Sequence, residues 1–197
     1  MDKYRNNYRI PPARAQWWDY GWDASYFITA CTRCRWPFFG YIADDKMILS
    51  DIGKIADDCW REITGHAKNV ELGPHVVMPN HVHGIVNLIN NAAPFKFVPS
   101  EQGDREGRGQ ADEFPKTVGQ LRFQNPGKNT ISSIIGSYKA AVSKEARKTE
   151  PDFGWHSRFH DHIIRDAGEY ERIANYIRNN PSQWKADKFY SDPGEGH

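Results

Sequence analysis

The 197-residue sequence lacks any apolar run approaching the roughly 20 residues that a membrane-spanning helix needs. Its first residues, MDKYRNNYRIPP, hold no apolar signal core. Both absences predict a cytoplasmic protein with no membrane partner. Cysteine is scarce, and Cys31, Cys34 and Cys59 are odd in number. Cys31-Thr32-Arg33-Cys34 has CxxC spacing, but no second pair exists to complete a zinc site. The three therefore read as reduced thiols. Net charge is nearly absent too, at +1 with His neutral, which neither requires nor excludes a nucleic-acid partner. Aromatic residues, by contrast, are plentiful: seven Trp, ten Phe and nine Tyr. A chain so supplied folds into a globule rather than staying disordered. Its length suits a single domain over residues 1–197, with room for an insertion.

The charge is unevenly placed. Residues 116–148 hold seven Lys/Arg against Glu145 alone, and residues 1–36 hold six Lys/Arg against three Asp. A polyanion could be met by these patches, and a solvated helix face explains them equally well.

Residue patterns divide the chain into elements. Ser25–Thr32, SYFITACT, reads as a strand rich in β-branched and aromatic residues, and Phe38–Ile42 as a short second strand. Ser50 is a natural N-cap for a helix whose Ile52, Ile55, Ala56, Cys59, Trp60 and Ile63 recur at helical spacing. Val70–Met78 and His81–Ile89 read as two more strands, with Pro79-Asn80 as the turn between them. Residues 90–128, with four prolines and the run SEQGDREGRGQADE, predict a flexible insertion outside the core. Asn129 or Thr130 then caps a helix with the stripe Ile131, Ile134, Ile135, Tyr138 and Val142. Phe159–Arg165 predicts a fifth strand. A last helix, EYERIANYIRNN, is stopped by Pro181. This order implies an α+β fold, a mainly antiparallel sheet with helices packed on it.

The stretch VMPNHVHGIV runs from the end of the third strand through the turn into the fourth. Side chains alternate along a strand, so His81 and His83 share a face. Two adjacent imidazoles fill a core poorly and hold a divalent metal well. A bare His-x-His can also be two ordinary strand histidines. On the last helix, Tyr170, Ile173, Ala174 and Ile177 form the stripe that faces the sheet, while Tyr176 and Asn180, four apart, share another flank. Tyr138 and Tyr170 fall on apolar stripes and are expected in the core with occupied hydroxyls. His156, His160 and His162 read as surface or strand-packing residues rather than proton-transfer groups.

VMPNHVHGIV, followed by WHSRFHDHIIRD and YIRNNPSQW, resembles the REP-associated tyrosine transposases, relatives of the single-tyrosine HUH transposases of simple bacterial insertion sequences. DASYFITACTRCRWPFFGYI resembles their first hairpin and MILSDIGKIADDCW their first helix. The resemblance implies a ferredoxin-like HUH endonuclease fold. It implies Tyr176 as nucleophile and His81, His83 and Asn180 as ligands of a divalent metal, Mg²⁺ or Mn²⁺. The implied reaction is cleavage and rejoining of single-stranded DNA near REP-like hairpins through a 5′-phosphotyrosine, and the implied assembly is a homodimer. A hairpin-binding regulator of the same fold without turnover is the alternative, and a water-activating metallohydrolase, which would not need Tyr176, is a third.

Overall fold

The computed structural model describes residues 3–4, 7–8, 18–89 and 129–190. The insertion expected at 90–128 therefore lies outside the described residues. Two short strands, β1 (Lys3–Tyr4) and β2 (Asn7–Tyr8), pair with each other. The body follows as β3 (Ala24–Cys31), β4 (Gly40–Ala43), β5 (Lys46–Leu49), α1 (Asp51–Arg61), α2 (Ile63–His66), β6 (Val70–Met78), β7 (His81–Leu88), α3 (Ile131–Ala146), β8 (His160–Ile164) and α4 (Ala167–Asn179). Ser50 caps α1 through its side chain, which accepts from the Gly53 amide at 3.0 Å. Thr130 caps α3 with a reciprocal bond to Ser133.

One expectation about an element end is corrected. The second strand begins two residues later than Phe38 and forms a hairpin, β4 with β5, turned by Asp44 and Asp45 at φ 49° and 58°. Both central residues take positive φ, as tight hairpin turns require. Phe39 is wholly buried outside any strand, its carbonyl accepting from the Ser50 amide. Its apolarity, which resembles strand patterning, fits a loop plug. At the other end, the α-helix stops ahead of Pro181 as read, although the chain winds on past it. Pro181 opens a 3-10 segment, Pro181–Ala186, directly after α4, since a proline is tolerated in a first turn.

β6, β7, β3 and β8 form one antiparallel sheet in that spatial order. Helices α1 and α2 connect β3 to β6, and α3 lies between β7 and β8 in the chain. The α+β, ferredoxin-like architecture expected from the sequence is the one observed. The sheet is covered on both faces. Val82, Val86 and Leu88 of β7 and Tyr26 and Ile28 of β3 meet α1 and α3 in the main core. There Trp60 stands edge-on to Tyr138 at 5.1 Å, and the Tyr138 hydroxyl donates to the Ala56 carbonyl. Gly84 sits under Trp60, where a Cβ would fall 2.2 Å from the indole. On the opposite face Ile85 and Ile164 meet Ala174 and Ile177 of α4 in a smaller cluster, with Phe27, Tyr170 and Tyr176 at its margin. The period of two along β7 therefore turns His81, His83 and Ile85 toward α4. No helix among the described residues is long and apolar enough to cross a membrane.

Candidate functional site

His81 and His83 leave β7 toward α4 with ring centroids 4.4 Å apart, and both are buried. α4 carries Tyr176 across to them: its hydroxyl lies 3.3 Å from His83 Nε2. The same hydroxyl donates to Asp187 Oδ2 at 3.1 Å. One turn beyond Tyr176, buried Asn180 donates through Nδ2 to that same carboxylate oxygen at 3.1 Å. All four residues predicted from the sequence thus enter one network, within a single chain. Asp187 joins them. It follows the Pro181–Ala186 segment and is pinned by the Phe189 amide, which donates to Oδ1 at 2.7 Å.

The remaining ring nitrogens fix how the imidazoles are presented. Asn80 is wholly buried, and its Nδ2 donates to the Arg35 carbonyl at 3.2 Å and the Phe189 carbonyl at 2.8 Å. Its Oδ1 therefore faces His81 Nδ1, 2.9 Å away, which must carry the proton. His81 Nε2 is left with a lone pair, buried and without a hydrogen-bond partner among the described residues. His83 Nδ1 lies 2.9 Å from the hydroxyl of Thr29, its cross-strand partner. Oxygen partners on Nδ1 commonly orient metal-binding imidazoles in this way.

Burial decides the protonation states. It drives His81 well below the ordinary histidine range, helped by His83, Lys188 and Arg35. It lowers His83 to about 4, against the pull of Asp187. Both rings are neutral at pH 7, the form that binds metal. Tyr176 is pushed up to about 12, by burial first and by the Asp187 carboxylate second. The phenol stays protonated until a reaction draws its proton away.

The side chains fit a divalent ion. His81, His83 and Asp187 each present a ligand atom within 4.8 Å of the others. Asn180 Oδ1 is a second buried acceptor without a partner among the described residues. Two neutral imidazoles with a carboxylate and an amide oxygen make a mixed nitrogen–oxygen donor set.

Other candidates separate from this network. Tyr138 is core, as its stripe predicted, and Tyr170 is half-buried with its hydroxyl over Gly73. His162 Nε2 lies 2.9 Å from Glu169 Oε1. Asp187 escaped sequence reading because it follows a 3-10 segment. No helical or strand period links it to Asn180 or His83. Asn80 and Thr29 escaped because each reads as an ordinary turn or strand residue.

No model of a known protein family matches the chain. Among solved structures the chain is similar to a REP-associated tyrosine transposase bound to a REP hairpin. That match has 18% identity, covers 93% of this chain and 74% of that one, and has a TM-score of 0.48. It is also similar to a Deinococcus radiodurans R1 protein provisionally named a transposase, at 14% identity, covering 91% of this chain and 97% of that one, with a TM-score of 0.43. An uncharacterized protein of Haemophilus influenzae is 33% identical over 180 residues, 91% of this chain and 92% of its own. With that identity sustained over nearly the whole length of both, the chain belongs to one family with the Haemophilus influenzae protein.

Proposed function

We propose that the protein is a metal-dependent nuclease and strand-transfer enzyme for single-stranded DNA, with Tyr176 as its nucleophile. One observation carries this reading: the Tyr176 hydroxyl lies between His83 Nε2 at 3.3 Å and Asp187 Oδ2 at 3.1 Å, beside the partnerless Nε2 of His81. A water-activating hydrolase has no use for a phenol there. The resemblance carried by the HUH and YIRNNP motifs supports the transposase-like chemistry and implies hairpin-bearing single-stranded DNA as substrate.

His81, His83 and Asn180 would hold Mg²⁺ or Mn²⁺, with Asp187 beside them. The ion would withdraw charge from a non-bridging phosphate oxygen and stabilise the charge that develops in attack. The protein's own groups do the rest. Asp187 receives the phenol proton as the Tyr176 oxygen bonds to phosphorus. The bond from phosphorus to the 3′ oxygen breaks, and that oxygen departs as a hydroxyl with a returned proton. Tyr176 keeps the 5′ phosphate. The phosphotyrosine preserves the energy of the diester, so a 3′-hydroxyl can reverse the exchange without ATP.

Tyr176→Phe removes one oxygen and little volume, so the fold should persist. Incubated with Mn²⁺ and hairpin-bearing single-stranded DNA, the wild type should form a covalent adduct visible on a denaturing gel, and the variant none. An adduct on the variant moves the nucleophile elsewhere. Adduct-free cleavage by the wild type favours water attack, and DNA binding without cleavage favours a regulator.

A further inference from the structure

Beside the site lies a surface that the cleavage step does not use. Residues 33–37 are all exposed, and Trp36 among them is 54% exposed although it leans on Phe38 at 5.9 Å. Arg33 and Arg35 flank it in sequence. Lys188 lies across from them, since Arg35 Nη1 reaches the Lys188 carbonyl at 3.5 Å. Arg35 and Lys188 both stand over the Phe189 ring, at 5.4 Å and 4.7 Å, and that ring lies 4.7 Å from His81. The side-chain bond of Arg33 goes to a backbone carbonyl, that of Asp152. None of the three cations forms an ion pair among the described residues.

The turn is also held firmly. Cys34 and Arg35 have φ of 55° and 58°, left-handed values that side chains adopt at a cost. Thr32 Oγ1 donates to the Trp36 carbonyl at 2.7 Å, and the Arg33 amide to Gly154. Asn80 holds the Arg35 carbonyl with the amide that also sets His81. An exposed indole on a held turn, beside cations with no ion pair among the described residues and linked through Asn80 to a site histidine, matches one chemistry: an unpaired base on a phosphate chain.

We propose that the Arg33–Trp36 turn, with Lys188 and Phe189, grips the single-stranded DNA that adjoins the cleaved bond. Trp36 stacks on a base, and Arg33, Arg35 and Lys188 hold phosphates. The proposal rests on the nuclease reading of the neighbouring site and names the part of the substrate that this surface takes. Duplex DNA hides its base faces and is a poor fit.

The test is fluorescence anisotropy of the full chain with labelled oligothymidylate of about 12 nucleotides, in chelator, with a duplex of equal length beside it. Trp36→Ala should weaken single-strand binding about tenfold and leave duplex binding unchanged. Trp36→Phe, which keeps a ring, should restore most of it. Arg33→Ala with Arg35→Ala should lower the salt slope of log affinity by about 1.4, two phosphate contacts. Wild-type affinity in Trp36→Ala, or an equal loss on duplex, overturns the grip. Should Trp36→Ala melt early, Trp36→Phe and the arginine pair carry the test: an unchanged salt slope overturns the proposal. Adduct formation is scored separately on hairpin DNA. A wild type that binds through Trp36 yet forms no adduct sinks the nuclease reading and leaves the grip standing. An adduct with no dependence of binding on Trp36 does the reverse.

Discussion

Asn80 shows how much one side chain can decide. Its carbonyl oxygen fixes the His81 tautomer, while its amide ties down Arg35 and Phe189. Asn80→Ala should lower Mn²⁺ affinity by about 10- to 100-fold, read by electron paramagnetic resonance titration. In ¹⁵N-correlated NMR of the metal-free variant, the proton on His81 should no longer be confined to Nδ1. His83 makes a pH prediction. Its native pKa, about 4, lies below the ordinary 6.5, so the unfolded chain binds the proton first as pH falls. Stability is therefore full above pH 6.5 and is lost on the way down to pH 4, by about 3 kcal/mol for this group. Chelator-treated His83→Gln should show a flatter fall of melting temperature across that window. His81 and His83 stood out by the period of two along a strand, and Tyr176 and Asn180 by the spacing of four along a helix, whereas the roles of nucleophile and ligand came from the resemblance. Asp187 did not stand out, because a 3-10 segment carries the chain around to it without a period to read.

At the level of elements, capping chemistry and alternation placed most of the fold. Val70–Met78 matches the sequence expectation at both ends, and Ser50 and Thr130 cap α1 and α3 as read. The β4–β5 hairpin was only half legible. Phe38 and Phe39 look like strand residues, yet the hairpin depends on two Asp residues in left-handed conformation. Gly84 is a further case. No pattern in the sequence singles it out, and in the fold it lets Trp60 lie directly on the sheet. A methyl group at Gly84 would force the indole of α1 off β7, whose next residue toward the site is His83. Gly84→Ala should cost about 3 kcal/mol, seen as a lowered urea midpoint. His83 should then lose register with Thr29, and Mn²⁺ affinity should fall with stability.

For the whole molecule, Tyr176 reaches the histidines of its own chain. Mixing Tyr176→Phe chains with His81→Ala/His83→Ala chains should therefore restore no adduct, whether or not two copies pair. Recovery on a denaturing gel would place the tyrosine and histidines of a working site on different chains. The two faces of the sheet are also unequal. Among the described residues the main core joins eighteen buried hydrophobic side chains, and the cluster beneath α4 joins four. So few contacts tie α4 down that its opening free energy should fall well below that of the domain. In native-state hydrogen exchange, the α4 amides should exchange as a separate, early unit while those of β3 and β7 wait for global unfolding. The helix that bears the reacting oxygen is then a detachable part, and the sheet that bears the imidazoles is the fixed one.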